Sequence, residues 1–416
     1  MWRLMPFLFL LYIVAYLDRI NVSFAVLQMR TQLSLNERVI GRAAGIFFVG
    51  YFFFQLPSNL LLEKIGVRRW ISGLMIAWGV ISCLMIFIRG PLSFYALRFL
   101  LGAAEAGFFP GMILYMKRWF PATARARAVA WFMTANPLAG VVGSPISGAL
   151  MGLHGAGFSG WQWMFLTEGV PAIALGVVVF MVLQENPQDA VWLEPAQREW
   201  LRSKLESERA AEAKVATANF WQVLFSGRIW LLSLVYFGVS TTMYGVTLWL
   251  PSVIRSFSGL SYFWTGAVAV LPFLVTVAVM VLVGMRSDRV NERRWHTAIP
   301  AFLAAVGLIV SAYGSSTLVV VAGIGMGLAF AEAMCGPFWA MATSRMAGLS
   351  AAAGIAVINS LANLGGYFGP DIIGLFRTAP NGGFRGGLLA IAATVAVSGL
   401  AALVVGRAYP GKQAKA

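Results

Sequence analysis

The chain has 416 residues, of which 59% are hydrophobic and only 11% charged, and its mean hydropathy is +0.77. Soluble domains carry roughly a quarter charged residues, so two or three soluble domains are excluded and a polytopic, all-α membrane protein is indicated. A net charge of +15 would suggest nucleic acid in a soluble chain, but the placement of the basic residues here points to topology instead.

The first apolar segment, 6–27, is long enough to cross a bilayer. Tyr16-Leu17-Asp18-Arg19 stands in its middle, with Asn21 just beyond. Each charge at a helix centre costs roughly 2.5–3.5 kcal/mol on insertion scales, so both should face a protein interior or a wet cavity. Two readings are open: an ion pair that only holds helices together, or a site where Arg19 awaits an anion and Asp18 holds a proton. The segment superficially fits a signal peptide. A cleaved segment would not carry an Asp-Arg pair at its core, and no small-residue cleavage site follows, so it is kept as the first span.

Further apolar runs occupy 40–62, 70–88, 92–116, 127–152 and 163–183, then 229–251, 262–284, 297–314, 317–342, 350–373 and 385–407. Twelve spans in two six-helix bundles, 1–183 and 229–416, are expected, joined by a polar linker over 184–228. Within the linker, Pro195 starts a mixed-charge stretch with Trp200, Leu201 and Leu205 on one side. It reads as a short amphipathic helix on the membrane surface, or as a disordered charged tether. With the N-terminus inside, cytoplasmic segments hold 22 of the 31 Lys and Arg, including Arg3, Lys214, Arg345, Lys412 and Lys415. The outer segments hold seven, Arg30, Arg38, Arg42, Arg89, Arg255, Arg377 and Arg385, and only Arg19 and Arg98 remain in the apolar layer. This bias puts both termini in the cytoplasm of an inner (plasma) membrane protein and leaves no nucleic-acid surface. Cys83 and Cys335 lie in apolar runs, and His154 and His296 stand far apart, so no disulfide, metal or other cofactor is expected.

The two bundles repeat one another. Glu63-Lys64-Ile65-Gly66-Val67-Arg68-Arg69-Trp70 follows the second span, and Asp288-Arg289-Val290-Asn291-Glu292-Arg293-Arg294-Trp295 follows the eighth, at an offset of 225. Glu105 with Pro110 in span four matches Glu332 with Pro337 in span ten, at an offset of 227. Duplicated six-span halves are the signature of a transporter whose site lies at the midplane between them.

Twelve spans with this loop after spans two and eight resemble the major facilitator superfamily. YLDRINVSFA, RFLLGAAEAGFFPGMILYMKRWFP, GWQWMFLTEGVPA and GPFWAM resemble, more narrowly, its anion:cation symporters, which include bacterial sugar-acid importers, sialin and the vesicular glutamate transporters. The resemblance implies alternating access and symport of a small organic anion with protons.

Arg98 and Glu105 lie seven residues apart, nearly two turns, and project from one face of span four. At the repeat offsets, Asp18, Arg19 and Arg98 correspond to Met243, Tyr244 and Gly325, so the second half lacks these charges. A purely structural role would more naturally recur in both halves. Two guanidiniums in a low-dielectric cavity suit a carboxylate. Asp18 and Glu105 are then the proton carriers: held ionised by Arg19 and Arg98 when the cavity is empty, and protonated to release the arginines to substrate.

The resemblance adds Tyr51, Asn136, Trp339 and Asn359 as substrate contacts. Tyr51 and Trp339 read equally well as packing aromatics, whereas an amide of Asn136 or Asn359 facing lipid would be unsatisfied. The resemblance gives Glu332 no proton role, and a structural one is expected. Glu63, Lys64, Arg68 and Arg69, with Asp288, Arg289, Arg293 and Arg294, form a cytoplasmic gate whose acids meet the N-termini of spans five and eleven when the cavity opens outward. Gly140, Gly143 and Gly148 faintly resemble the motif of drug:proton antiporters but suit close helix packing. A proton-coupled efflux antiporter is therefore the alternative reading. A membrane enzyme or receptor has no metal cluster, nucleophile-base pair or phosphate loop to support it. Nothing marks an oligomer interface, and a monomer is expected.

Overall fold

The computed structural model describes residues 4–213, 225–343, 348–379 and 383–407, and their regular structure is almost wholly helical. Among the described residues, ten segments are long and apolar enough to cross a bilayer: Met5–Gln32, Glu37–Ile65, Val67–Phe87, Pro91–Trp119, Gly160–Val182, Gly227–Ser258, Tyr262–Val290, Arg294–Tyr313, Thr317–Thr343 and Phe384–Arg407. Spans five and eleven are helix pairs of shorter pieces, Ala122–Met133 with Ala135–Leu150 and Gly348–Asn363 with Gly365–Thr378. With these, the spans among the described residues number twelve.

The apolar runs read as unbroken, but four spans bend in repeat-related places. Span four bends at Ala106, five at Thr134, ten at Met334 and eleven at Leu364. Pro110, Pro137 and Pro337 stand four residues after Ala106, Met133 and Ala333, and proline has no N–H for those carbonyls. Span eleven bends instead at Gly365-Gly366. Glu105 and Glu332 fall in the last turn before their bends.

Within the first half, span two packs on four and span three on six; within the second, span nine packs on ten and twelve. Between halves, span one meets seven, two meets the second piece of eleven, and the second piece of five meets eight. The approach is closest at the end opposite the linker. A Cβ on Gly41 would stand 2.5 Å from the Pro370 carbonyl oxygen, and one on Gly266 would stand 2.3 Å from that of Ser144. Only glycine lets these backbones meet so closely.

In the linker, the helix is Pro195–Ala213. Leu205 is buried and Trp200 exposed. Glu208 accepts from the Ala122 backbone N–H at 3.0 and 3.2 Å, which ties this helix to the start of span five. Residues 214–224 of the linker, and Arg3, Lys214, Arg345, Lys412 and Lys415 of the charge pattern, lie outside the described residues.

Candidate functional site

Successive helical residues point about 100° apart, and this separates the two charges of span one. Arg19 turns to the interface between halves, where its Nε donates to Glu105 Oε2 at 2.9 Å. Asp18 turns into the first half, where its Oδ1 accepts from Ser82 Oγ at 2.7 Å and Asn21 Nδ2 at 3.3 Å. Both carboxyls are 1% exposed. The other oxygen of each, Asp18 Oδ2 and Glu105 Oε1, has no hydrogen-bond partner among the described residues.

The pairing therefore differs from the expected one. Of Arg19 and Arg98, Arg19 alone holds a carboxylate among the described residues, and it is that of Glu105, while Asp18 has hydroxyl and amide donors instead of a guanidinium. Arg98 is 2% exposed, and its Nε and Nη2 donate to the carbonyl oxygens of Ala43 and Ala44 at 3.3 and 3.5 Å. Its Nη1 has no partner among the described residues. Both guanidiniums lie over the Phe47 ring, at 5.3 Å for Arg19 and 4.8 Å for Arg98. Arg19 also faces the rings of Tyr16 and Tyr51 at 4.9 and 5.4 Å. Tyr51 is thus buried beside the cation, within cation–π reach.

Between the halves lies a narrow cavity, lined on one side by Tyr16, Arg19 and Asn136 and on the other by Tyr244, Thr247, Thr276 and Glu332. A second crevice shares Arg19, Tyr244 and Thr247 and continues to Arg98. Glu332, expected to be structural, is a cavity wall. Trp339 packs edge-on against Tyr236 and Phe338, with centroids 5.1 and 5.2 Å away, and is not among the residues that line either space. Asn359 is half-buried in span eleven, and its neighbour Ser360 donates to Gln55 Oε1 of span two at 3.0 Å.

In the loop after span two, Glu63, Lys64 and Arg69 are exposed and Arg68 lies 5.3 Å from the Phe180 ring centroid. The acid at the N-terminus of span three is Glu185, which accepts from the Val67 and Arg68 N–H groups at 2.8 and 3.0 Å and pairs with Arg118. Sequence reading missed it because the residue comes from beyond span six. After span eight, Asp288 pairs with Arg293 at 2.6 Å within its own loop, Arg289 is exposed, and Arg294 donates to the Leu403 carbonyl. Glu292, also in this loop, is pushed up by burial, but N–H groups of Trp295 and His296 and the His296 ring outweigh that and hold it below the usual carboxylate range.

At the opposite end lies a network that sequence reading counted only as loop charge. Glu37 Oε1 binds Arg30 at 2.7 Å and, across the halves, Arg377 at 2.8 Å. Arg42 reaches Asp371 at 3.4 Å, and Trp249 Nε1 donates to the Pro370 carbonyl at 3.2 Å. The available signal was the presence of Glu37 and Asp371 in otherwise acid-poor segments. The sequence reading also passed over Glu168, a buried acid of span six that accepts from Ser147 Oγ at 2.8 Å. The span-five glycines pack closely, Gly140 on Phe273, Gly143 on Leu17 and Gly148 on Tyr262.

Three comparisons bear on this arrangement. The profile described as Major Facilitator Superfamily matches residues 8–370. A protein named "Putative tartrate transporter" in Agrobacterium vitis is 48% identical, covering 98% of this chain and 94% of that one. A "Quinolone resistance transporter" of Acinetobacter baumannii is 38% identical, covering 90% and 87%. In fold, the chain is similar to a bacterial homologue of the lysosomal transporter Spinster, with a TM-score of 0.81 at 16% identity over 97% and 96% of the two chains.

Proposed function

The chain belongs to the major facilitator superfamily, and from that premise we propose that it carries a small organic anion across the membrane by alternating access, with protons as the driving ion. It is a membrane transporter and not an enzyme. The observation that carries the substrate class is Arg19, a guanidinium on the cavity wall held by a single carboxylate, Glu105. A substrate carboxylate suits the same fork of donors. It competes with Glu105, and two carboxylates cannot both remain ionised on one buried guanidinium without strong repulsion. Protonation of Glu105 resolves the conflict in favour of the substrate.

Asp18 supports the same coupling from the other side of the helix. Its carboxyl is buried with hydroxyl and amide donors and no guanidinium bound to it, so an ion there is costly and a neutral acid is not. Tyr51, Asn136 and Arg98 complete the substrate side in this reading, with Trp339 and Asn359 in outer roles. The linker end is the cytoplasmic one, with both termini on that side of the inner membrane, the loops after spans two and eight act as its gate, and the protein works as a monomer. The halves meet at the opposite end here, so the conformation is closed to the outside.

The second reading, efflux, has one observation in its favour, the similarity to a quinolone resistance transporter. Proteoliposomes separate the two. Inward proton gradients should drive accumulation of tartrate and leave quinolone uptake unaffected. Proton-driven quinolone antiport without tartrate flux overturns the importer reading.

A further inference from the structure

We propose that Glu332 reads a hydroxyl group of the cargo, so that this cavity takes a hydroxy acid in preference to the same acid without hydroxyls. The proposal rests on the organic-anion reading above and names the class of anion. Glu332 lines the cavity from span ten, while Arg19 lines it from span one in the other half. The acid is 7% exposed, and among the described residues its side chain has a single hydrogen bond, a long contact from the Cys335 thiol at 3.9 Å. A thiol is a weak donor, so the carboxyl retains most of its accepting capacity for whatever fills the space.

The same wall offers Thr247, whose buried Oγ1 has no hydrogen-bond partner among the described residues. Thr276 is different: its hydroxyl already donates to the Pro272 carbonyl at 2.8 Å, which leaves only lone pairs for a ligand. The cavity is therefore polarised. Arg19 supplies donors for a carboxylate, and Glu332 and Thr276 supply acceptors opposite. A cargo with a carboxylate at one end and O–H groups along its chain satisfies both walls. A cargo with methylenes in place of those hydroxyls leaves Glu332 facing carbon, and sites built to bond a hydroxyl reject the analogue that lacks it.

Tartrate and succinate differ only in two hydroxyls, and their half-saturation constants in counterflow give the test. We expect the wild-type protein to favour tartrate by about 10- to 100-fold, the range for leaving a buried polar group unsatisfied when the hydroxyl is missing. Glu332→Ala should shrink that ratio to within about threefold by weakening tartrate while leaving succinate near its wild-type value. Glu332→Gln should retain part of the ratio, since its amide keeps one acceptor. Succinate counterflow in the same vesicles reports folding of each variant. An unchanged ratio in Glu332→Ala, an equal loss for both acids, or aspartate outcompeting tartrate through its ammonium overturns the proposal. Absence of any carboxylate counterflow in the wild type overturns the organic-anion reading itself, an outcome distinct from carboxylate flux with an unmoved ratio.

Discussion

Arg19 Nη1 meets the hydroxyl of Tyr244 at 3.5 Å, and Tyr244 is the residue that occupies Arg19's own place in the second repeat, 225 positions later. Spans one and seven thus face each other across the pseudo-twofold axis, and the two repeats have specialised at the same point. The first supplies the charge, and the second supplies a neutral hydroxyl that contacts it. Had the second repeat kept an arginine there, two cations would meet at the axis. In the proposed function, this asymmetry leaves a single cation at the axis to meet one anion.

Arg19→Lys tests whether the planar fork matters. Lysine keeps the charge but not the paired donors. Loss of one charge-assisted bond is worth about 1.5–3 kcal/mol, so tartrate affinity should fall about 10- to 100-fold while the protein still inserts and purifies. Equilibrium binding to detergent-solubilised protein measures it. Wild-type affinity in Arg19→Lys would remove Arg19 from the substrate site.

Glu105→Gln tests the competition for that arginine. If Glu105 carries the proton as proposed, raising the pH of the wild type should ionise more of it, strengthen its hold on Arg19 and weaken substrate binding. Glutamine offers a neutral acceptor at every pH. The variant should bind tartrate several-fold more tightly at alkaline pH and show a flatter affinity-versus-pH curve than the wild type, with proton-driven accumulation reduced. Binding titrations across the pH range read both effects.

Much of this arrangement is legible in the sequence. The offsets of 225 and 227 identified the duplication, and the helical period placed Arg98 and Glu105 on one face of span four. What the period could not give was which neighbour in space each charge meets. Asp18 and Arg19 are adjacent in sequence yet point to different helices, Asp18 to Ser82 in span three and Arg19 to Glu105 in span four. Glu332 reads as structural because the resemblance gives it no proton role, and a repeat offset does not say which wall of a cavity a side chain forms. Glu37 and Arg377 are separated by 340 positions, and their pairing depends on how the halves dock, a property of the conformation rather than of either helix.

Asp18→Asn should separate binding from coupling. Asparagine keeps the size and can still accept from Ser82, so the fold of the first half is retained, but no proton is exchanged at this position. Counterflow of tartrate, which needs no net proton movement, should persist at a measurable rate. Accumulation driven by an inward proton gradient should disappear. Continued uphill accumulation by the variant would remove Asp18 from the coupling scheme.

Asp288→Asn addresses the gate at the linker end. Asp288 pairs with Arg293 in this conformation and is exposed, so its loss costs little folding stability. Its proposed role belongs to the opposite conformation, where the linker end closes. The variant should slow turnover several-fold with the order of preferred substrates unchanged. Altered selectivity at normal turnover would place Asp288 in the substrate site instead.

Arg377→Ala should shift the protein toward the state that opens at the other end. Arg377 and Glu37 are 14% and 15% exposed, far less screened than ordinary surface pairs, and they join spans eleven and two across the halves. Removing the guanidinium leaves Glu37 with Arg30 alone, which belongs to its own half. A loss of about 1–2 kcal/mol is a factor of about 5–30 in the equilibrium between conformations. Spin labels at Arg38→Cys and Leu375→Cys, in a background with Cys83→Ala and Cys335→Ala, report the separation of the two helix ends. The wild-type pair should give one short distance, and Arg377→Ala should add a longer population of comparable size. Glu37→Gln should do the same, and combining the two should add little, because they remove one shared contact. Identical distance distributions in all variants would mean that packing of Gly41 on Pro370 and Gly266 on Ser144, rather than the ion pair, holds this end closed.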